Sequence, residues 1–296
     1  MYNSCTLCPK HCGVNRTSGQ TGFCGMPATI QVARASLHMW EEPCISGTNG
    51  SGTVFFTGCN LKCVFCQNQT IAIGKKGREV SVSQLADLFL MLQDKGAHNI
   101  NLVTPSHYVP SIAEALRLSK KQGLRLPIVY NTSGYDSVSS LAILDGLIDI
   151  YLPDFKYVSH NLSKCYSHAA DYFEVAGRAL AEMFRQVGPP VFDGDLLKKG
   201  IIARHLLLPG CTEDSKAVIR YLYETYHDNI FISIMNQYTP LPQVASYPEL
   251  NRKITVEEYD EVVDFAINLG VENGFIQEGD TADESFIPDF DFTGLI

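Results

Sequence analysis

Hydrophobic positions along this chain switch between two periods. Short apolar runs alternate with longer stretches whose apolar residues recur every three or four positions, the pattern of strand followed by helix. "TVFFTG" (53–58) is β-branched and aromatic and predicts the first core strand. "SVSQLADLFLMLQDKG" (81–96) predicts an amphipathic helix, with Ser81 and Gln84 in capping-box spacing and Gly96 as the stop. The alternation continues: strand 99–104, helix 110–122, strand 126–132, a short helical stretch near 137–144, and strand 147–156. A longer helix at 162–187, strand 200–210, helix 213–226, strand 229–238 and helix 255–269 complete it. Thr255 and Glu258 again have capping-box spacing.

Repeated βα units imply a parallel sheet with right-handed crossovers. Six such units are too few to close an eight-fold barrel. The expectation is an α/β fold, a partial (β/α)6 TIM-like barrel open along one side. An open doubly wound sheet fits the same pattern. Ahead of the repeats, residues 1–28 are rich in Cys, Gly and polar residues with little periodicity, 30–39 read as a strand, and 41–52 as a loop. The division expected is a cysteine-rich N-terminal extension over 1–50 and a barrel domain over 51–296. The tail, rich in Asp and Phe, is expected to lie extended over the surface.

Composition narrows the function. The 296 residues are 45% hydrophobic and 19% charged, which is globular. The net charge of −9, without any long basic run, argues against nucleic acid as a partner. No run approaches the roughly 18 apolar residues of a membrane span, and no signal-peptide core follows Met1. The expected location is the cytoplasm, where thiols stay reduced. Eight of the ten cysteines lie within the first 66 residues, so they read as metal ligands rather than disulfides.

In parallel βα folds the site lies at the carboxyl ends of the strands. Here those ends carry Gly58-Cys59, Thr104-Pro105-Ser106-His107, Asn131-Thr132-Ser133, Asp154-Phe155-Lys156, Pro209-Gly210-Cys211 and Asn236-Gln237-Tyr238. After the first strand, "TGCNLKCVFCQN" (57–68) places Cys59, Cys63 and Cys66 in C-x3-C-x2-C spacing. A closed zinc or iron–sulfur site wants four protein ligands. Three thiols on one loop suggest a metal centre with one open position; a zinc loop completed by a distant ligand is the alternative.

The cysteine loop, its place after strand one and the βα repeats resemble the radical S-adenosylmethionine (SAM) superfamily over roughly residues 50–240. The resemblance implies that Cys59, Cys63 and Cys66 hold three irons of a [4Fe–4S] cluster, and that SAM chelates the fourth. It implies reductive cleavage of SAM to methionine and a 5′-deoxyadenosyl radical that abstracts hydrogen from a substrate. Phe65 stands where family members carry an aromatic beside the adenine. Within the superfamily, "GCNLKCVFCQN" resembles the pyruvate formate-lyase activating enzymes, with Gln67 in place of their usual His. "LPDFK" (152–156) resembles their SAM-contacting Asp-x-Lys, which gives that role to Asp154 and Lys156. "YNTSG" (130–134) resembles their Asp-Thr-Asn-Gly segment and brings in Asn131 and Thr132. "RHLLLPG" (204–210) resembles their fifth-strand Arg run. Two departures mark a divergent branch. "LVTPSHY" (102–108) lacks the Gly-Gly-Glu carboxylate, so Thr104 and Ser106 would substitute. "MNQYTP" (235–240), with Asn236, replaces Leu-Pro-Tyr-His. The implied partners are a glycyl-radical protein as substrate and an electron donor such as flavodoxin or ferredoxin. The alternatives are a small-molecule or other peptide substrate, or a non-catalytic metal-binding protein on the same scaffold.

"CTLCPKHCGVNRTSGQTGFCG" (5–25) sets Cys5, Cys8, Cys12 and Cys24 in C-x2-C-x3-C-x11-C spacing. Four thiols fit a second iron–sulfur cluster or a structural zinc.

Overall fold

The computed structural model describes residues 1–277 and 288–295. The expected strands all form, in the expected order. They are β2 (Ser51–Phe56), β4 (Ile100–Val103), β5 (Ile128–Thr132), β6 (Ile150–Pro153), β8 (Leu196–Leu206) and β9 (Phe231–Met235). Around them lie β1 (Ile30–His38), β3 (Arg78–Val80), β7 (Val191–Asp193) and β10 (Gly274–Ile276). Helices α1 (Val82–Asp94), α2 (Val109–Lys121), α3 (His160–Ser167), α4 (Tyr172–Val187), α5 (Thr212–Tyr226) and α6 (Val256–Leu269) cover the sheet.

The sheet runs β10-β9-β8-β6-β5-β4-β2-β1-β3, and every pairing from β2 to β10 is parallel. A doubly wound sheet would reverse its strand order part-way. Here the order from β2 to β10 never reverses, so the sheet curls in one direction around an interior. Among the described residues its edge strands β10 and β3 do not pair, and the barrel stays open.

Several elements differ from the sequence reading. β1 runs antiparallel to β2, with His38 opposite Ser51, so its end lies at the floor of the barrel. There Pro43–Ser46 form a helical turn within the expected loop. Cys44 and Ile45 of that turn pack with Val129, Ile150, Leu152, Leu197 and Ile202 and close the floor. The helix expected at 162–187 is two helices, because His168 adopts a left-handed φ of 54° and ends α3. β8 starts earlier than expected through a hairpin with β7 that turns at Gly194. Both capping boxes form, at Ser81–Gln84 and Thr255–Glu258. In the tail, Phe292 and Thr293 hydrogen-bond to Ala33 and Ala35 of β1, and Phe290 packs on Phe55. The part of the tail at 278–287 lies outside the described residues. No helix among the described residues is long and apolar enough to cross a membrane.

Candidate active site inside the barrel

A cavity of about 520 Å³ fills the barrel interior. The cysteine loop forms its roof. β2 ends at Phe56, and the chain enters the loop through Gly58, whose φ is +91°. A side chain there would also collide with Met26, 2.2 Å from a built Cβ. Cys59, Cys63 and Cys66 all line the cavity. The Ser167 hydroxyl donates to Cys63 Sγ at 2.9 Å, and the Leu61 amide to Cys59 Sγ at 3.4 Å. Burial pushes the Cys63 thiol up to about 11 and raises Cys66 as well. Cys63 and Cys66 therefore hold their protons until a metal displaces them. A shallower hollow of about 360 Å³, with Lys62, Gln69 and His168 on its wall, reaches Cys63 and Cys66 from the outer side.

Below the roof runs a chain of buried charges. Lys156 Nζ donates to Asp154 Oδ2 at 2.7 Å. The Arg204 guanidinium reaches Asp154 Oδ1 at 3.0 Å, Asn131 Oδ1 at 2.7 Å and Glu41 Oε2 at 3.1 Å. Glu41 Oε1 accepts from Asn101 at 2.9 Å and from Asn131 at 3.3 Å. Burial opposes the charge on Asp154, yet Lys156 and Arg204 together hold its carboxyl below the usual range. Burial opposes Lys156 too, and Asp154 outweighs it and raises its affinity for the proton. So Lys156 is a fixed cation beside the cysteine loop.

Of the residues singled out in the sequence, Phe65, Thr104, Asn131, Thr132, Asp154 and Lys156 line this cavity with the three cysteines. Phe65 is buried against Tyr238. Thr104 ends β4 with a left-handed φ of 59°. Ser106 and Asn236 are not among the lining residues. Ser106 instead pairs with Thr132 at 3.3 Å, within a buried network in which Thr132 and Tyr130 donate to Asp136. Successive residues of an extended chain face opposite ways. Met235 and Gln237 therefore line the cavity, while the Asn236 amide donates to Gln277. The sequence reading missed Glu41 and Glu42, and it named Ser133 and Gln237 as strand-end residues without giving them a ligand-binding role. The Ser133 hydroxyl is buried at the cavity wall without a partner. Three thiols, a fixed cation, an aromatic wall and an unsatisfied hydroxyl suit a cluster with an open iron that chelates a zwitterionic, adenine-bearing ligand.

The N-terminal cysteines pack behind this roof. Cys5, Cys8 and Cys24 are buried and Cys12 is half-buried. Arg16 lies among them, 1% exposed. Its guanidinium donates to the carbonyls of Met26, Pro27 and His107, and approaches Cys5 Sγ at 3.8 Å.

Residues 53–194 match the family model of the radical SAM superfamily. The chain is 28% identical over 281 residues to the uncharacterized protein MJ0674 of Methanocaldococcus jannaschii, covering 90% of this chain and 75% of that one. Its fold is similar to methylornithine synthase (PylB), with a TM-score of 0.50 at 13% identity, covering 76% of this chain and 72% of that one. It is also similar to HydG, a maturase of the [FeFe]-hydrogenase, with a TM-score of 0.50 at 12% identity over 75% of this chain and 50% of HydG. Streptococcus suis SuiB bound to its precursor peptide SuiA gives a TM-score of 0.50 at 13% identity over 74% of this chain. The chain spans less than half of SuiB, at 46%.

Proposed function

We propose that this chain, whose residues 53–194 match the radical SAM superfamily model, cleaves SAM reductively and turns the resulting radical on a substrate held inside the barrel. The observation that carries the reading is the opening of Cys59, Cys63 and Cys66 into one cavity with Lys156, Asp154, Phe65 and Ser133. A [4Fe–4S] cluster on those thiolates, with SAM bound, supplies the one-electron chemistry. The chain's own residues bind, orient and exclude water. Lys156 offers a cation to a carboxylate, and Asp154 fixes its position. Phe65 offers a ring face, and Ser133 a free hydroxyl. An electron donor such as flavodoxin or ferredoxin would approach from the outer hollow that touches Cys63 and Cys66.

The test is anaerobic reconstitution followed by dithionite and SAM, with 5′-deoxyadenosine measured by chromatography. Wild-type protein should release it. A Cys59→Ala, Cys63→Ala, Cys66→Ala variant should release none and lose the reduced cluster's EPR signal. Cleavage by that variant would overturn the reading.

A glycyl-radical protein as substrate is a second reading. It is favoured by the open edge of the sheet: the cavity is lined by Phe275 and Ile276 of β10 and by His38 of β1, so an extended peptide loop could enter there.

Cys5, Cys8, Cys12 and Cys24 are proposed to hold a metal centre, a second iron–sulfur cluster or a structural zinc. A buried guanidinium needs opposing charge. The hydrogen-bond partners of Arg16 are carbonyls and the Cys5 sulfur, with no carboxylate among them. Metal-bound thiolates would supply the missing negative charge. Metal analysis of the triple variant, where only this site remains, should find bound metal, and iron or zinc identifies which of the two it is. A variant that binds neither metal would refute it.

A further inference from the structure

Glu42 lies beside Glu41 at the floor of the barrel, and the two carboxylates are treated very differently. Glu41 is fully satisfied by Asn101, Asn131 and Arg204. Glu42 also lines the cavity, with the Ser233 hydroxyl next to it. Its Oε2 is buried and has no hydrogen-bond partner. Arg204 does not supply one; its guanidinium bonds Asp154, Asn131 and Glu41. The turn that carries Glu42 is not free to swing it out to water. Cys44 and Ile45 anchor that turn in the apolar floor. A buried acceptor left unsatisfied is costly unless something else completes it.

The charge pattern says what would complete it. Among the described residues, the cavity wall carries three carboxylates, Glu41, Glu42 and Asp154, against two cations, Lys156 and Arg204. Both cations are taken: Lys156 by Asp154, and Arg204 by Asp154 and Glu41. Among these described residues the carboxylates outnumber the cations by one, and the excess lies at the floor, at the far end of the charge chain from the cysteine loop. Burial pushes the Glu42 carboxyl up, with Arg204 opposing. A cation seated beside it would favour the ionised form.

Resting on the reading above, we propose that Glu42 binds a cationic nitrogen of the substrate, an ammonium or guanidinium group, and that the substrate is a small amine-bearing molecule. Glu42 holds the charged end on the floor. The rest of the molecule points up the barrel toward the roof, where the hydrogen is taken. A cavity that must also admit SAM, and whose floor is closed, suits a small molecule better than a folded partner.

The probes are n-butylammonium and n-butylguanidinium, with butyrate and n-butanol as uncharged or oppositely charged matches of similar size. Binding is measured by calorimetry on the reconstituted enzyme with SAM and no reductant. The two cations should bind saturably and compete with each other. Butyrate and butanol should bind at least tenfold more weakly. Glu42→Gln should weaken the cations at least tenfold. A crystal of the wild-type enzyme soaked with n-butylguanidinium should place a nitrogen within hydrogen-bond distance of Glu42, which decides the matter if the variant fails to fold. Equal binding of butyrate, or a cation seated elsewhere, overturns the proposal. Wild-type SAM cleavage is assayed in parallel. If SAM is cleaved and the cations do not bind, only the substrate proposal falls. If SAM is not cleaved, the parent reading falls.

Discussion

Arg204 and Lys156 show how residue-scale chemistry separates binding from folding. Arg204 bonds Asp154, Asn131 and Glu41 at once through a planar fork. Lysine cannot reproduce a three-way fork. Arg204→Met leaves two buried carboxylates without their shared cation and should cost about 3–5 kcal/mol of stability. Lys156 has one partner, Asp154, which keeps Arg204 if Lys156 is removed. Lys156→Ala should therefore weaken SAM binding at least tenfold while costing less stability than Arg204→Met. Equilibrium SAM binding and urea unfolding of both variants check this, and a Lys156→Ala protein that binds SAM normally would count against its role. The sequence marked Lys156 and Asp154 because their strand end matched a family motif. It could not mark Glu41 and Glu42. They sit in an aperiodic stretch, and only the antiparallel pairing of β1 with β2 carries them to the barrel floor. Nor could it separate Asn236 from Gln237, since a shift of one residue exchanges the two faces of an extended chain.

At the scale of elements, the order of the strands was legible because each βα unit carries its own periodicity. The break between α3 and α4 was not, because His168 adopts its left-handed conformation in a segment without Gly or Pro. The join between the N-terminal head and the cysteine loop was equally hidden. Gly58 has φ +91°, and a built Cβ would lie 2.2 Å from Met26 Cγ and 3.1 Å from the Cys24 carbonyl oxygen. Its amide donates to the Ile71 carbonyl at 2.8 Å, so the loop cannot simply slide away. Gly58→Ala should cost about 1–3 kcal/mol from the backbone conformation alone. The clash with Met26 adds to that. Met26→Ala in the same chain should recover only part of the loss, since the Cys24 carbonyl remains. Urea unfolding of the single and double variants measures both; full recovery would show that the backbone contact is unimportant.

The whole molecule carries a pH dependence set by two buried imidazoles on different elements. His205 follows Arg204 on β8 and faces the other way, away from the cavity. Its Nδ1 donates to the Phe155 carbonyl at 2.8 Å, and its Nε2 is buried without a partner. Burial pushes it down to about 4. His107 donates from Nε2 to the Thr57 carbonyl at 2.7 Å, and burial pushes it down to about 3. In the unfolded chain both should titrate near the ordinary value of about 6.5. As pH falls below that value, the unfolded chain takes up protons that the folded chain refuses. Stability must then fall with pH, by up to about 1.4 kcal/mol per pH unit for each histidine, until the folded value is reached. Asp154, held low by Lys156 and Arg204, adds loss in the same direction below about pH 4. Glu41 and Glu42, raised by burial, act oppositely and blunt the total. Comparing a variant with wild type isolates one imidazole from this mixture. His205→Asn keeps a side-chain donor and removes the titration. Urea unfolding of the metal-free chain at pH 7, 6 and 5 should show a shallower loss of stability for His205→Asn than for wild type. The difference in slope should approach about 1.4 kcal/mol per pH unit below pH 6. Parallel slopes would mean that His205 is protonated in the fold, and that its unpartnered nitrogen finds an acceptor.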